Sequence, residues 1–177
     1  MKIIKTEIPE VLIIELDIFK DDRGFFVEKY NQQKFAALGI NTKFVQDNHS
    51  RSKPKVLRGL HYQVNPSQAK LVSCLKGRIQ DIVVDIRPDS ANYKKYVSVE
   101  LSADNARLLY IPAGFAHGFC VLGEEDAEVT YKVDEFYSKE GDRGIIYNDP
   151  ELDIKWQIED PILSEKDKIL PRLSELK

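Results

Sequence analysis

Three histidines are the first candidates for proton transfer, because only this side chain titrates near neutral pH without perturbation. His61 lies in the β-rich run Arg58-Gly59-Leu60-His61-Tyr62-Gln63, where a barrel strand could point it inward. His117 follows the turn Pro112-Ala113-Gly114, and His49 lies in a polar run. Taken one at a time, each is compatible with a structural or surface role, so their neighbours must decide.

The spacing around His61 argues against a metal site. A metal-binding β-barrel typically offers two histidines two residues apart and a carboxylate soon after. Here the residue two positions after His61 is Gln63, and no glutamate follows before Leu71. We therefore expect no metal at His61, and both a structural role and a role in proton transfer stay open.

Cations occur near His61 in the sequence. Arg58 precedes it by three residues, Lys70 follows by nine, and Arg23 lies in an early turn. Arginine binds phosphate oxygens in a bidentate manner, and lysine can stabilise a developing oxyanion. Tyr131, in a later β-rich run, is a possible proton donor. Neither a glycine-rich phosphate loop nor a G-x-S-x-G nucleophile motif is found.

The bulk composition indicates a single globular domain, which we assign to residues 1–177. The chain is 42% apolar and 31% charged, with a net charge of -3, so nucleic acid is not an expected partner. Acidic residues interrupt the apolar N-terminal run, which therefore predicts neither a signal peptide nor a membrane span. Cys74 and Cys120 lie in apolar stretches and are expected to be buried reduced thiols, although a disulfide stays open. We expect a cytoplasmic protein.

Short β-rich runs separated by turn residues dominate the chain, which predicts a mostly β sandwich or barrel. Two short helices are expected, one at Asn31–Leu38 and one after Ser164, whose sequence resembles a capping box. The predicted strands are Val11–Leu16, Gly24–Tyr30, Lys43–Asn48, Val56–Gln63, Lys70–Leu75, Arg78–Ile86, Lys94–Leu101, Arg107–Ile111, Gly118–Leu122 and Glu128–Val133.

Side-chain alternation along these strands raises one conflict. Polar residues share a face in several strands, which indicates either solvent or a polar cavity. Arg58 and His61 are three residues apart, so their side chains would point to opposite faces of a regular strand. If both face one pocket, the strand must bulge or bend near Gly59.

The ordered motifs resemble the dTDP-4-dehydrorhamnose 3,5-epimerase family. The resemblance runs from about residue 20 to residue 167 and implies a cupin-type double-stranded β-helix, or jelly-roll barrel, with few short helices. The matching segments are Asp22–Glu28, Phe44–Ser50, Val56–Gln63, Gln68–Val72, Asp85–Arg87, Ile111–Phe119, Tyr131-Lys132, Asn148–Pro150 with Trp156, and Leu163–Asp167.

The resemblance also implies roles for individual residues. His61 is expected as general base with Asp167 as its dyad partner, Tyr131 as the opposing acid, and Lys70 as the stabiliser of an enolate oxygen. The expected substrate-binding residues are Arg23, Phe26, Glu28, Gln46, Asn48, Arg58, His117 and Tyr137. In the family, the first three reach the nucleotide from the partner subunit of a dimer, and Tyr137 stacks on the thymine base.

The implied reaction is epimerisation of dTDP-4-keto-6-deoxyglucose at C3 and C5, on the route to rhamnose, without cofactor. The implied assembly is a homodimer. Epimerisation at C3 or C5 alone, and a related sugar 3,4-ketoisomerase, remain alternatives within this fold. A metal-dependent cupin oxygenase and a non-catalytic sugar-nucleotide binding module are the competing classes. Gln63 argues against the first, and the joint presence of His61, Asp167, Lys70 and Tyr131 argues against the second.

Overall fold

Two antiparallel β-sheets face each other in a computed structural model that describes residues 1–176. The six-stranded sheet has the order β1-β2-β10-β7-β12-β5, the five-stranded sheet has the order β13-β6-β11-β8-β9, and β3 and β4 form a separate hairpin. The strands are β1 (Lys2–Lys5), β2 (Leu12–Glu15), β3 (Ile18–Asp21), β4 (Gly24–Val27), β5 (Gln46–Ser52), β6 (Leu57–Gln63), β7 (Lys70–Lys76), β8 (Arg78–Asp85), β9 (Tyr96–Ser102), β10 (Arg107–Ile111), β11 (Phe115–Leu122), β12 (Ala127–Val133) and β13 (Asp142–Gly144). This is the jelly-roll barrel of the predicted cupin type.

The main core lies between the two sheets, where alternate residues of each strand point inward. Val72 of β7, Val83 of β8 and Val129 of β12 are fully buried there. β-Branched side chains suit these positions because they pack well on a pleated surface. Cys74 and Cys120 are buried free thiols, which confirms that expectation.

The outer faces of both sheets are also covered, which explains why several strands read as almost continuous apolar runs. Leu71 and Leu108 on the outside of the six-stranded sheet pack against Phe35 of the first helix. On the other sheet, Ile82 and Val84 pack in a cluster with residues of the C-terminal segment such as Leu152 and Leu173.

Both short helices lie close to their predicted positions. Helix α1 (Gln32–Ala37) begins after Asn31, whose side chain accepts hydrogen bonds from the backbone N–H groups of Gln33 and Lys34. Helix α2 (Glu165–Lys168) begins after Ser164, and a 3₁₀ turn follows at Leu173–Glu175. None of the helices in the described 176 residues is long and apolar enough to cross a membrane.

Some predicted strand boundaries were wrong. Lys43–Val45 is not a strand, and β5 extends instead to Ser52, because the polar run Gln46–Ser52 pairs along its whole length with β12. The predicted strand Gly24–Tyr30 ends at Val27. Three short strands, β1, β3 and β13, were missed, since runs of three or four residues carry little periodicity.

Candidate active site

A His–Asp pair lies at one end of the barrel. The Nε2 atom of His61, on β6, is 2.6 Å from Oδ1 of Asp167, on α2. Asp167 is buried, whereas about a third of the His61 side chain is exposed to the cleft. The structure thus brings together two predicted residues that are 106 positions apart in sequence.

The short helix α2 fixes Asp167. The hydroxyl of Ser164 accepts the backbone N–H of Asp167 at 3.1 Å, so the first turn is capped and the carboxyl group is aimed at His61. Burial raises the pKa of Asp167, but hydrogen bonds from His61 and Ser164 and the backbone of Gly59 outweigh it, and the net pKa is lowered. The carboxylate is therefore ionised at neutral pH and favours the His61 tautomer that carries its proton on Nε2.

The conflict between Arg58 and His61 is resolved by an extra residue in β6. His61 pairs with His117 and Arg58 pairs with Phe119, so three steps along β6 match two along β11. One inserted residue reverses the alternation, and both side chains line the same cavity. The structure thus confirms the bulge that the side-chain alternation predicted near Gly59.

Lys70 and Tyr131 line the cavity from the opposite sheet. They lie on the paired strands β7 and β12, with the Lys70 ammonium 6.0 Å from the centre of the Tyr131 ring. Burial lowers the pKa of Lys70 to about 8, although the charges of Asp81 and Asp142 oppose the shift. Burial also raises the pKa of Tyr131, which keeps its hydroxyl protonated at neutral pH.

His117 forms a second buried pair. Its Nε2 atom is 2.8 Å from Oδ1 of Asp81 on the neighbouring strand β8. Asp81 is fully buried, and its other oxygen has no hydrogen-bond partner among the described residues. Asp81 is not among the predicted site residues. Its polar position on an otherwise apolar strand face was the signal that could have identified it.

The cavity that contains these groups has a volume of about 450 Å³. Its lining includes Arg58, His61, Lys70, His117, Tyr131 and Asp167, together with apolar residues and a few further polar ones. A second cavity of about 330 Å³ shares His61, Lys70 and Tyr131 with the first. The two cavities are therefore parts of one cleft with the His–Asp pair at their junction.

The second part of the cleft contains three more predicted residues, Gln46, Asn48 and Tyr137. The side chain of Gln46 donates to Asn48 at 2.9 Å and accepts the backbone N–H of Tyr137 at 3.2 Å. The Tyr137 side chain is largely exposed, and its hydroxyl donates to Asp142. The charge of Asp142 raises the pKa of Tyr137. An open aromatic ring beside amide groups can stack on a planar base.

Arg23, Phe26 and Glu28 lie outside the cleft of their own chain. Arg23 forms an ion pair with Asp21 at 2.5 Å, and Phe26 is 68% exposed on the β3–β4 hairpin. Glu28 pairs with Lys34 at 2.7 Å. A single chain does not bring these residues to His61, so their contact with nucleotide stays a prediction that requires a second subunit.

The cleft also contains polar residues that were not predicted. Lys166 forms an ion pair with Asp142 at 2.5 Å. Near the cleft, the hydroxyl of Ser52 accepts a hydrogen bond from the predicted residue Arg58 at 2.9 Å. Ser50 lines the cavity with a hydroxyl that has no partner in the described chain. The shared face of Gln46, Asn48 and Ser50 was a usable signal for Ser50, and no comparable signal identified Asp142.

Among residues 1–176, no group of three or more His, Cys, Asp and Glu side chains is arranged to hold a metal ion. Each of the two cleft histidines is hydrogen-bonded to its own aspartate, His61 to Asp167 and His117 to Asp81. The arrangement offers an imidazole nitrogen, a phenol, an ammonium group and a guanidinium group around one cavity. Together these can remove a carbon-bound proton, stabilise the resulting oxyanion and return a proton.

The chain is similar to known proteins over nearly its whole length. A family model described as dTDP-4-dehydrorhamnose 3,5-epimerase matches residues 5–175. The dTDP-4-dehydrorhamnose 3,5-epimerase of Shigella flexneri is 54% identical, over 94% of this chain and 93% of its own length. That of Pseudomonas aeruginosa is 51% identical, over 95% of this chain and 93% of its own.

The fold is similar to a crystal structure of dTDP-6-deoxy-D-glucose-3,5-epimerase from Legionella pneumophila in complex with dTDP-4-keto-L-rhamnose. The TM-score is 0.96 at 45% identity, and the match covers 99% of this chain and 94% of the other. The likeness of sequence and fold extends over nearly the whole chain. The chain belongs to the dTDP-4-dehydrorhamnose 3,5-epimerase family.

Proposed function

We propose that this protein epimerises dTDP-4-keto-6-deoxyglucose at both C3 and C5, giving dTDP-4-keto-rhamnose. The observation that carries the proposal is one cleft that combines a His–Asp pair with a buried lysine and a protonated tyrosine. The identity of 54% to a relative named for activity at both carbons favours the double epimerisation over the single-position alternatives.

The chemistry begins with the 4-keto group, which acidifies the C–H bonds at C3 and C5. Because Nε2 of His61 faces Asp167, the free Nδ1 atom is the base that accepts the proton. The electron pair of the broken C–H bond forms a C=C bond to C4, and the negative charge moves to the carbonyl oxygen. The ammonium group of Lys70 stabilises that oxyanion in a partly water-excluded cleft.

Inversion requires a proton from the opposite face of the sugar. The hydroxyl of Tyr131 donates it to the same carbon, and the carbonyl re-forms. The imidazolium of His61 and the phenolate of Tyr131 then exchange protons with water, and the cycle repeats at the other carbon. A positioned acid or base of this kind contributes about 10²- to 10⁴-fold in rate.

The nucleotide occupies the outer part of the cleft in this proposal. The sugar and diphosphate are contacted by Arg58, Gln46, Asn48 and His117. The ring of Tyr137 stacks on the thymine base. The open cleft and its cations support this placement. No redox group is needed, because the 4-keto group already acidifies the C–H bonds at C3 and C5, and inversion then requires only proton transfer.

A homodimer in the cytoplasm completes the proposal. The exposed aromatic residues of the β3–β4 hairpin support it, because Phe19, Phe25 and Phe26 are each more than 60% exposed. The partner's hairpin then brings Arg23, Phe26 and Glu28 to the nucleotide. Two buried free thiols agree with a reducing compartment. Light scattering tests the dimer, and a monomer at micromolar concentration contradicts it.

Solvent deuterium exchange tests the reaction. The protein is incubated with dTDP-4-keto-6-deoxyglucose in heavy water, and deuterium at C3 and C5 is followed by NMR. We expect incorporation at both carbons with the wild-type protein and none with a folded His61→Ala variant. Exchange at one carbon identifies a single-position epimerase, and no exchange at either carbon refutes the enzyme assignment.

A further inference from the structure

Two glycines on neighbouring strands approach each other more closely than any other residue type allows. A Cβ atom placed on Gly59 would lie 2.6 Å from Cα of Gly118, and one placed on Gly118 would lie 2.7 Å from the carbonyl oxygen of Arg58. Real Cβ atoms essentially never make contacts this short with backbone. Neither position therefore accepts a side chain unless β6 and β11 move apart.

This contact coincides with the extra residue in β6. The register shifts between His117 and Phe119, so Gly118 is the single residue opposite Gly59 and Leu60. Gly59 has φ of +121°, a conformation that favours glycine. Strand β11 can therefore pack closely against the bulge only because both positions are glycine.

The site residues surround this contact on all sides. Arg58 and His61 flank the bulge on β6, and His117 precedes Gly118 on β11 and pairs directly with His61. The backbone of Gly59 also favours the ionised form of Asp167. A displacement of β6 at Gly118 therefore moves the guanidinium of Arg58 and the His61–Asp167 pair together.

We propose that the Gly59–Gly118 contact is a positioning element of the epimerase site, with Gly118 as a residue required for turnover, an inference that rests on the proposed function. Without the contact the bulge loosens, and Arg58 and His61 no longer face the same ligand at fixed separation. Misplacement of a base by about 1 Å can cost about 100-fold in rate.

The test compares Gly118→Ala with Gly77→Ala. Gly77 lies in the turn at the opposite end of β7 from Lys70, and its added Cβ would be 2.8 Å from the carbonyl oxygen of Asp126, a comparable clash away from the cleft. We expect both variants to lose thermal stability. Only Gly118→Ala should lose kcat, by about 100-fold, while its affinity for dTDP changes less. Equal kcat in both variants overturns the inference.

A second measurement does not depend on activity. The N–H proton of His61 that bonds Asp167 should give a distinct downfield NMR signal in the wild-type protein and in Gly77→Ala. We expect it to be shifted or lost in Gly118→Ala, and an unchanged signal contradicts the positioning role. If the wild-type protein exchanges no deuterium, the proposed reaction fails while this signal still tests the contact.

A crystal structure of the wild-type protein with dTDP decides the matter even where Gly118→Ala does not fold. Arg58 and His61 on the same side of β6, with Gly118 packed on the bulge, support the inference. A regular β6 with the two side chains on opposite faces overturns it.

Discussion

Replacing Lys70 with methionine should reduce turnover to a slow residual rate and at the same time stabilise the fold. The ammonium group of Lys70 is held in the cleft although burial disfavours its charge, and its pKa falls from 10.5 to about 8. Each pKa unit corresponds to about 1.4 kcal/mol, so keeping this charge in the folded state costs about 3 kcal/mol at pH 7. Methionine fills a similar volume without that cost.

The sign of the effect depends on pH. A depressed pKa means that the unfolded chain binds the proton more readily, so the penalty is largest below pH 8 and declines as Lys70 deprotonates in the folded state. The attraction of Asp81 and Asp142 partly offsets the burial of Lys70, and the pKa of about 8 already includes it. We expect a net stabilisation of about 1–3 kcal/mol at pH 7, falling below about 1 kcal/mol at pH 10.

Urea unfolding at both pH values measures this difference, and the deuterium exchange assay measures activity. Lys29→Met is the matched control, because Lys29 is also a partly buried lysine with a lowered pKa but lies outside the cleft. It should retain turnover. A Lys70→Met protein that is less stable than wild type at pH 7, or equally stabilised at pH 7 and pH 10, refutes the reasoning. If Lys70→Met retains normal turnover, Lys70 does not stabilise the oxyanion.

Three further predictions concern the same cleft. Asp167→Asn should lower kcat by at least about 100-fold while the fold is retained, because the amide no longer favours the Nε2-protonated tautomer of His61; near-normal kcat would exclude the dyad. Ser164→Ala should cost about 1 kcal/mol in the free energy of unfolding and lower kcat, whereas Asn31→Ala, which removes the cap of α1, should cost similar stability with kcat unchanged. Wild-type kcat/KM should decline as pH rises through about 8, because Lys70 then loses its positive charge. If the slow Lys70→Met variant shows the same decline, a group other than Lys70 is responsible for it.

Much of the fold could be predicted because its signals are local. Helix α2 is an example, since a serine three residues before Asp167 indicates its N-terminus, and the structure confirms the cap. Strand β10 matched its predicted bounds, Arg107–Ile111, because apolar residues fill it and turns flank it. The shift of β5 to Gln46–Ser52 was not predictable, because its polar inward face follows from the cleft that it lines rather than from a β propensity.

The residues of the site also divide into those that the local sequence could suggest and those that it could not. The residue types at His61, Lys70 and Tyr131 suggested acid–base chemistry, but only the family resemblance connected His61 with Asp167, since no periodicity relates positions 106 residues apart. Asp81 was missed because its role depends on β8 lying next to β11, which is a property of the topology. The proposed contact of Arg23, Phe26 and Glu28 with nucleotide requires a second subunit, which the sequence alone could suggest only through relatives.

The bulge at Gly59 shows that an exception to the side-chain alternation of a strand can mark a functional feature. A regular β6 would place Arg58 and His61 on opposite faces, and one of the two would point away from any ligand. Requiring both in one cleft predicts an inserted residue, and the only glycine between them marks where the insertion can occur. The structure places it there, opposite a second glycine on β11. A conflict between strand parity and proposed chemistry was therefore the most specific structural prediction that this sequence offered.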